Sequence, residues 1–482
     1  MSRISVLLAA ALCLSPGLSE SLTGQTPHTL TVSPGKTITL KLPDSLDINI
    51  AASGLRRVRF FAQAPDGRVF VTGMYNLADN TQGSVFALDG WDEKTRTFTK
   101  VVHYLDHLRN PNNLAFWTDP ATKQTWLYLP LTNKLVRYKY NPGDTAPTEK
   151  PEVLMRFPDY GLSYKYGGWH LTRTVAIATL RGATRVYVSS GSSCNYCQEK
   201  EVARAAVISM DPDGKHQQLA AQGLRNAVDM RFFGGVDGGA LFASNMGDDH
   251  LGDKLPEDTF FELDANARRG PLARLLGLHG TLPPPANYGW PTCYFANGKA
   301  VHDETPFPVE ASLSKAVAPL PPAAVKENAK DSVYGAQASG AVQGTNLAAG
   351  GGHGDVPDPN ANLGAPPNPL PSCEHVPPAY TTFSAHSSPL GFEYFGDDKI
   401  LHGDFLVALH GASKPRIGTG YRVVQFTQQD HAPKDFITGF LTFVNGQPTV
   451  HGRPCGIFRI APDTFLMTDD YLGVVYYIHP KA

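Results

Sequence analysis

The sequence of 482 residues is long enough for about three average domains, although β-rich domains often run larger. Hydrophobic residues make up 42% of the chain and charged residues 18%, which excludes a disordered or fibrous protein. The formal net charge is −2 and no long basic block occurs, so nucleic acids and anionic membranes are not expected as partners. The 46 glycines and 39 prolines favour many turns over long helices.

The N-terminus has the pattern of a secretory signal. Arg3 supplies a positive charge, Ile4 to Leu14 is an apolar run, and Ser15 to Ser21 is rich in the small residues of cleavage sites. The apolar run is too short to span a bilayer, and no later run reaches about 18 residues. A buried N-terminal helix is the alternative. We therefore expect residues 1–21 to be a signal peptide and the mature protein to be secreted and extracellular, with no membrane partner.

A repeated pattern of an apolar strand, a polar turn and a second strand runs through the rest of the chain. Helical periodicity is scarce, and helix is expected only at Asp258 to Leu276 and in parts of Ala311 to Ala329. Most of the repeat units start about 53 to 65 residues apart, close to the period of propeller blades. The six units start at Arg59, Asn113, Thr174, Ala227, Gly391 and Gly456.

One gap between units is much longer than the others. Between the fourth and fifth units it contains roughly a hundred extra residues, 272–372, whose proline and glycine content is typical of a loop. The expected fold class is therefore all-β: a six-bladed β-propeller with a long Pro/Gly-rich insertion between the fourth and fifth repeat units. Residues 22–482 would form this single catalytic domain. A β-sandwich or two small β domains are the alternatives.

Five of the six cysteines lie beyond the predicted signal, so at least one thiol is free or bonded between chains. Cys194 and Cys197 lie in a Ser/Gly loop, and a local disulfide is the plainest interpretation for an exported chain. A zinc half-site and a redox motif are the alternatives. Cys293 and Cys373 bracket a long irregular stretch of the chain and would close it, although the sequence does not fix the pairing. The state of Cys455 stays open.

Loops of a propeller converge on its central axis, so residues at equivalent positions of the repeats meet in space. Several basic side chains and imidazoles lie at these positions, and such a concentration of charge is costly unless an anion binds there. We therefore expect a ligand with several carboxylates or phosphates, bound by guanidinium groups. The residues at these positions are Arg59, His170, Arg225, His386, His410, Lys414, Arg416 and Arg453.

Two of the axial loops also suggest chemistry. A neutral imidazole at His170 can take a proton from a hydroxyl. The acidic loop Gly247-Asp248-Asp249 suits a hard cation bound through carbonyl and carboxylate oxygens. Motifs of EF-hands, nucleotide-binding loops and serine hydrolases are absent from the sequence.

Each of these residues also has a structural interpretation. A single histidine such as His170 is usually an ordinary core or surface residue. Arg225 and Asn226 can form a turn with a surface salt bridge, and the acidic loop can be a solvated turn. Arg453 can pair with Asp469 or Asp470. The coincidence of these residues at equivalent repeat positions favours the functional interpretation.

Blocks of sequence spread in order over most of residues 57–478 resemble one known family. They include GGWHLTRTVAI from Gly167, GSSCNYCQEKEVARAAV from Gly191, GLRNAVDMRF from Gly223, NMGDDHLGDKLPEDTF from Asn245 and GRPCGIFRIAPD from Gly452. With them the chain resembles the soluble quinoprotein sugar dehydrogenases, in the sorbosone/pyranose dehydrogenase branch that uses pyrroloquinoline quinone (PQQ). The Cys194-Asn-x-Cys197 loop fits this branch and supports a structural disulfide.

The resemblance implies catalytic roles for His170 and Arg225. His170 would take the proton from the anomeric hydroxyl while the C1 hydrogen passes as hydride to the quinone. Arg225 would hydrogen-bond the quinone oxygen and stabilise the charge that develops there. Leu171 stands where the family often has tryptophan, which puts substrate stacking at that position in doubt.

The same resemblance implies how the cofactors are bound. Ca²⁺ would bind backbone oxygens of Gly247 and Asp248 and polarise the quinone. Asn226 would help to fix PQQ, and His386 and His410 would lie close to it, the latter where some relatives have lysine. The PQQ carboxylates would bind Arg59 and Arg453, with Lys414 and Arg416 as weaker candidates.

The sequence thus predicts an enzyme: a secreted, PQQ- and Ca²⁺-dependent dehydrogenase that oxidises an aldose or pyranose at C1. No Cys-x-x-Cys-His haem motif occurs, so a separate electron acceptor, a cytochrome or redox enzyme, is expected as a partner beside the sugar substrate. The alternatives are a calcium-dependent propeller lactonase or esterase and a non-catalytic sugar-binding propeller. The cluster of arginines favours the dehydrogenase.

Overall fold

The computed structural model describes residues 24–159, 170–180, 183–234, 236, 239–263, 285–307, 359–364, 370 and 372–481. These ranges contain 31 β-strands, two 3-10 helices at Ala361–Leu363 and Pro415–Ile417, and no α-helix. A search of the same ranges finds no helix with the length and apolar character needed to cross a membrane. The predicted signal peptide, the helix expected at Ala311 to Ala329 and most of 272–372 lie outside the described residues.

The strands are numbered in chain order. The first eleven are Gln25–Ser33 (β1), Lys36–Pro43 (β2), Leu46–Ala52 (β3), Val58–Gln63 (β4), Val69–Gly73 (β5), Gly83–Asp92 (β6), Thr97–Leu108 (β7), Ala115–Thr118 (β8), Thr125–Leu131 (β9), Lys134–Tyr140 (β10) and Glu152–Arg156 (β11). The next ten are Arg173–Leu180 (β12), Ala183–Ser190 (β13), Ala206–Met210 (β14), Gln218–Gln222 (β15), Ala227–Phe233 (β16), Ala240–Asn245 (β17), Asp258–Leu263 (β18), Ala286–Asn287 (β19), Cys293–Ala296 (β20) and Lys299–His302 (β21). The last ten are Thr381–Phe383 (β22), Pro389–Phe395 (β23), Asp404–Leu409 (β24), Arg422–Thr427 (β25), Lys434–Ile437 (β26), Leu441–Val444 (β27), Gln447–Val450 (β28), Pro454–Ala461 (β29), Thr464–Asp469 (β30) and Val474–Pro480 (β31).

Six sheets form the blades of a propeller, each built on four antiparallel strands, and the sheet of blade 3 has a fifth strand, β19. Blade 1 is β4–β7, blade 2 is β8–β11, blade 3 is β12–β15, blade 4 is β16–β18 with β22, blade 5 is β23–β26, and blade 6 is β29–β31 with β3. The innermost strands β4, β8, β12, β16, β23 and β29 contact one another in this order around a closed ring. The prediction of an all-β, six-bladed propeller is confirmed.

Each of the six predicted repeat units is the hairpin formed by the first two strands of a blade. The sequence pattern reveals these hairpins because a hairpin consists of two neighbouring strands and a short turn. In blade 1 the turn between β4 and β5 contains Pro65, Asp66 and Gly67, and Gly67 has a φ of 87°. This left-handed conformation is one that glycine adopts without steric cost. Such turns bring two apolar strands together through residues that lie close to one another in the sequence.

The ring is closed by the two ends of the described chain. Strand β3, from the N-terminal part, pairs antiparallel with the last strand, β31, so that Leu46 faces Pro480 and Asn49 faces Tyr477. Blade 6 therefore combines three C-terminal strands with one N-terminal strand. The hairpin β1–β2 packs its apolar residues against the core between blades 5 and 6, with Leu40 and Leu42 fully buried.

The insertion leaves blade 4 between its third and fourth strands. Strand β22 returns after the insertion and pairs with β18. The helix expected from Asp258 to Leu276 is wrong over Asp258–Leu263, which forms β18, and the remainder lies outside the described residues. The segment is a strand because Phe260 packs between blades 4 and 5 while Phe261 packs between blades 3 and 4.

Part of the range predicted as irregular is regular in structure. Strand β19 adds to blade 3 by parallel pairing with β15, and β20 and β21 form a hairpin. A disulfide joins Cys293 to Cys373, and a second one joins Cys194 to Cys197, so the local disulfide expected at Cys194 is confirmed. Cys455 is a buried free thiol.

One hydrophobic cluster fills each of the six interfaces between neighbouring blades. A smaller seventh cluster lies on the axis, where Phe60, Val228, Leu390 and Cys455 come from the innermost strands of four blades. Met246 packs against this axial cluster. The strand ends around it carry most of the predicted site residues.

Candidate functional site

A cavity of about 290 Å³ lies on the axis, close to the volumes of small-ligand sites. Six of the eleven predicted site residues line it: Arg59, His170, Arg225, Asn226, Gly247 and His386. The other lining residues are Met74, Leu77, Leu171, Thr172, Met246, Asp249, Asp258, Ser388 and Ser413. The structure therefore brings together predicted residues from blades 1 and 4 and from the loops that join blades 2 and 3, blades 3 and 4, and blades 4 and 5.

The imidazole of His170 is held by the backbone of the loop after β13. Its Nδ1 lies 2.9 Å from the carbonyl oxygen of Ser192 and 3.0 Å from the Ser192 hydroxyl. A carbonyl oxygen only accepts, so Nδ1 carries the proton of the neutral ring and the lone pair is on Nε2. Burial, followed by the positive charge of Arg225, lowers the pKa of His170 well below its ordinary value. His170 is thus a neutral imidazole at physiological pH; Gly167 to Trp169, which precede it, lie outside the described residues.

Arg225 precedes β16 and is only 4% exposed. Its Nε donates to the carbonyl oxygen of Asn195 at 2.9 Å, and its Nη2 donates to Asn195 Oδ1 at 2.7 Å. Nη1 donates to the carbonyl oxygen of Gly247 at 2.6 Å. These three bonds fix the plane of the guanidinium, as a preorganised donor requires. The interpretation as a surface turn is excluded by its burial.

The loop after β17 is anchored by Asp258, which the sequence reasoning missed. The backbone N–H of Gly247 donates to Asp258 Oδ1 at 2.8 Å, and the N–H of Ser388 donates to Oδ2 at 2.7 Å. Burial raises the pKa of Asp258 to about 7. Asp258 therefore joins the loop before β23 to the loop after β17.

Within the acidic loop the two aspartates differ. Asp248 is buried and its carboxylate lies 2.7 Å from Nδ1 of His250, whereas the side chain of Asp249 is 60% exposed. Asn226 is fixed beside this loop, since its backbone N–H donates to Asn245 Oδ1 at 3.0 Å. The assignment of Ca²⁺ to the backbone oxygens of Gly247 and Asp248 stays a prediction.

Arg59 belongs to a second polar group, centred on Asp470. The Asp470 carboxylate, fully buried, accepts from Arg59 at 3.2 Å and from Arg57 at 3.4 Å, and lies 2.8 Å from His410 Nε2. Burial opposes its ionisation, but His410 and the two arginines outweigh burial and hold the pKa of Asp470 well below its ordinary value. Arg59 also donates to Asn112 Oδ1 at 3.0 Å.

Arg453, in the loop before β29, joins this second group because its Nη1 lies 3.4 Å from His410 Nδ1. Its Nη1 donates to the carbonyl oxygen of Gly411 at 3.0 Å, and its Nη2 donates to the Tyr421 hydroxyl at 2.7 Å. The guanidinium lies 4.6 Å from the centre of the Tyr421 ring. The Arg453 side chain does not pair with Asp469. Instead, the backbone N–H of Arg453 donates to Asp469 Oδ1 at 3.1 Å.

The remaining predicted residues lie at the edge of the site. His386 lines the cavity with Nδ1 3.0 Å from Asp249 Oδ1 and Nε2 2.7 Å from the Gly252 carbonyl oxygen. Lys414 is exposed, and Arg416 forms an exposed ion pair with Asp253 at 2.7 Å. Neither Lys414 nor Arg416 lines the cavity.

Three contributors were missed by the sequence reasoning: Asn195, Asp258 and Asp470. Asn195 lies inside the Cys194-x-x-Cys197 motif, which drew attention to its cysteines only. Asp258 was interpreted as the start of a helix. Asp470 was considered only as a partner of Arg453, although it pairs with Arg59 across the closure of the ring.

Comparison with models of protein families gives no match, and comparison with curated proteins gives none. Among solved structures, the chain is similar to the holo PQQ domain of pyranose dehydrogenase from Coprinopsis cinerea (TM-score 0.56, 14% identity, 92% of this chain and 97% of that one). It is also similar to the iodide structure of a Trichoderma reesei carbohydrate-active enzyme of family AA12 (TM-score 0.55, 18% identity, 91% and 97%). The calcium structure of family AA12 from the same organism gives a TM-score of 0.54 at 16% identity, over 91% and 96%. At these identities the comparison shows a shared fold.

Proposed function

We propose that the protein is a PQQ- and Ca²⁺-dependent dehydrogenase that oxidises an aldose or related pyranose at C1. The observation that carries the proposal is a buried imidazole, His170, whose Nδ1 proton is fixed by Ser192, in one cavity with the oriented guanidinium of Arg225. The fold it shares with a pyranose dehydrogenase PQQ domain supports the proposal.

The lining of the cavity suits a flat, polyanionic quinone. The guanidinium groups of Arg59 and Arg225 favour carboxylates, and Met74 and Met246 offer apolar surface to a ring system. The Gly247 carbonyl oxygen retains a second lone pair beside the one that Arg225 uses, and such hard oxygens suit Ca²⁺. When bound, PQQ would supply the two-electron acceptor and Ca²⁺ a Lewis acid.

The chain itself would supply proton transfer and charge stabilisation. His170 accepts the proton of the C1 hydroxyl at Nε2, since Nδ1–H is directed to the carbonyl oxygen of Ser192. A lowered pKa keeps this imidazole neutral before the reaction. The guanidinium of Arg225 is already oriented, because Asn195 and Gly247 accept hydrogen bonds from three of its N–H groups. Its other N–H groups can therefore donate to a developing negative charge without reorientation.

The lactonase or esterase alternative needs several carboxylates at its metal. Asp258 has both oxygens bonded to backbone N–H groups, and Asp249 is exposed and paired with His386. This distribution of carboxylates favours the dehydrogenase. Secretion and transfer of electrons to a separate acceptor are parts of the proposal that depend on the sequence.

The test is an assay of the purified protein with PQQ, Ca²⁺, a panel of aldoses and an artificial electron acceptor. We expect sugar-dependent reduction of the acceptor that needs PQQ and is lost when Ca²⁺ is removed by a chelator. Parallel assays measure hydrolysis of lactones and esters without PQQ. Hydrolysis in the absence of any sugar oxidation would refute the proposal and favour the alternative.

A further inference from the structure

We propose that the disulfide-closed loop Cys194–Cys197 positions the catalytic groups, and that Asn195 is its central positioning residue. The inference rests on the proposed function for its effect on turnover, and on the geometry alone for its effect on the loop 247–250. Asn195 does not line the cavity, so it acts through the groups that it holds.

One side-chain oxygen of Asn195 joins two parts of the site. Asn195 Oδ1 accepts from Arg225 Nη2 at 2.7 Å and from the backbone N–H of Asp249 at 3.0 Å. Its backbone carbonyl oxygen accepts a third bond, from Arg225 Nε at 2.9 Å. Asn195 thereby sets the distance between the guanidinium and the acidic loop.

The next residue extends the same arrangement to the far end of that loop. The ring of Tyr196 stacks on His250 at 3.9 Å between centres, and its hydroxyl donates to the Thr305 carbonyl oxygen at 2.7 Å. His250 lies 2.7 Å from Asp248 and 2.8 Å from Asp303, which follows the hairpin β20–β21. The acidic loop is therefore tied to the segment that follows the hairpin β20–β21.

The loop also reaches the side of His170. The hydroxyl of Ser192 donates to the Cys194 carbonyl oxygen at 2.6 Å and lies 3.0 Å from His170 Nδ1. Cys194 and Cys197 are buried together with Trp290 in a small cluster, so the loop has a packed base. The disulfide-closed loop Cys194–Cys197 thus contacts Ser192, which holds His170, and it contacts Arg225 and the acidic loop directly.

The experiment compares Asn195→Ala with Asn195→Asp, which retains an acceptor oxygen. The matched control is Asn141→Ala, an exposed asparagine in blade 2 whose side chain donates to Asp144. Amide hydrogen exchange over residues 247–252 is measured in the protein without cofactors. The kcat and KM for an aldose are measured after loading with PQQ and Ca²⁺.

In Asn195→Ala we expect exchange over 247–252 to accelerate about fivefold or more, because the Asp249 N–H loses its acceptor. We expect kcat to fall about 10- to 100-fold with KM changed less than about threefold, since Arg225 is displaced rather than removed. Asn195→Asp retains an acceptor oxygen, so exchange over 247–252 should remain within about threefold of wild type, while its charge beside Arg225 should lower kcat at least about tenfold.

Unchanged exchange in Asn195→Ala would overturn the inference, as would equal acceleration of exchange in Asn195→Ala and Asn195→Asp. Should the wild type show no sugar oxidation, the proposed function fails, and the exchange result alone decides the positioning role. Should Asn195→Ala not fold, Asn195→Asp still decides it: wild-type exchange with a lowered kcat supports the inference, and a wild-type kcat overturns it.

Discussion

The two sides of the cavity hold their charged groups in different ways. On one side, His170, Arg225 and Asp258 are held largely by backbone carbonyl and N–H groups. On the other, Arg59 is held by the charge of Asp470, which also pairs with His410, a residue outside the cavity lining. Backbone partners fix orientation without cancelling charge, whereas an opposite charge fixes position and neutralises it. The first side is therefore suited to chemistry and the second to stability. Because Arg57 and Arg59 share the single carboxylate of Asp470, a net positive charge remains there for a polyanion.

The largest expected effect is that of His170→Ala. Removal of the base should lower kcat about 10³-fold while PQQ affinity stays within about threefold, because the imidazole acts on the substrate proton. Steady-state kinetics and PQQ titration measure the two effects. His103→Ala, an exposed histidine in blade 1, serves as the control. Retained turnover in His170→Ala would remove it from the catalytic role.

Asp470→Asn tests the second side through stability. The substitution leaves the buried positive charges around it uncompensated, so we expect the free energy of unfolding to fall by about 3–5 kcal/mol. Denaturant unfolding measures it, with Asp435→Asn, an exposed partner of Arg422, expected to cost less than about 1 kcal/mol. Equal costs for the two variants would contradict the assignment.

Arg453→Ala should separate binding from chemistry. We expect the Kd for PQQ to rise about 10- to 100-fold, the loss of a charged hydrogen-bonding group. At saturating PQQ, kcat should remain within about threefold of wild type, because Arg453 belongs to the Asp470 group. An unchanged Kd would exclude Arg453 from cofactor binding.

The pH dependence gives the smallest effect. The lowered pKa of His170 means that the neutral imidazole persists below pH 6.5, its ordinary value. If the proton acceptor is His170, the fall in kcat/KM that reports it should therefore come only below pH 6.5, separate from any change near pH 7 that is due to Asp258. A midpoint at or above pH 6.5 would show that another group, or an unshifted imidazole, controls the reaction.

The fold was predictable from sequence because each blade begins with a local hairpin. Turns such as Pro65-Asp66-Gly67 and the apolar strands beside them lie within short segments. Strand β3 was not found, since it pairs with β31 at the other end of the chain and has no hairpin signal of its own. Residues 258–263 were assigned wrongly because an apolar run without its partners does not distinguish a buried strand from a helix.

The site was predictable in part for a related reason. His170, Arg225 and Gly247 lie at strand ends that the repeat pattern places around the axis. Asp258 and Asp470 were missed because their roles depend on contacts between distant loops. Local spacing identifies which side chains reach the axis but not the partners that hold them there.

The most direct test of the central claim is an equilibrium titration of the purified protein with PQQ, followed by absorbance, with Ca²⁺ and with a chelator. We predict saturable binding of one PQQ per chain that weakens strongly when Ca²⁺ is removed. Absence of saturable PQQ binding even with Ca²⁺ present would contradict it, and the axial arginines would then serve a different anion.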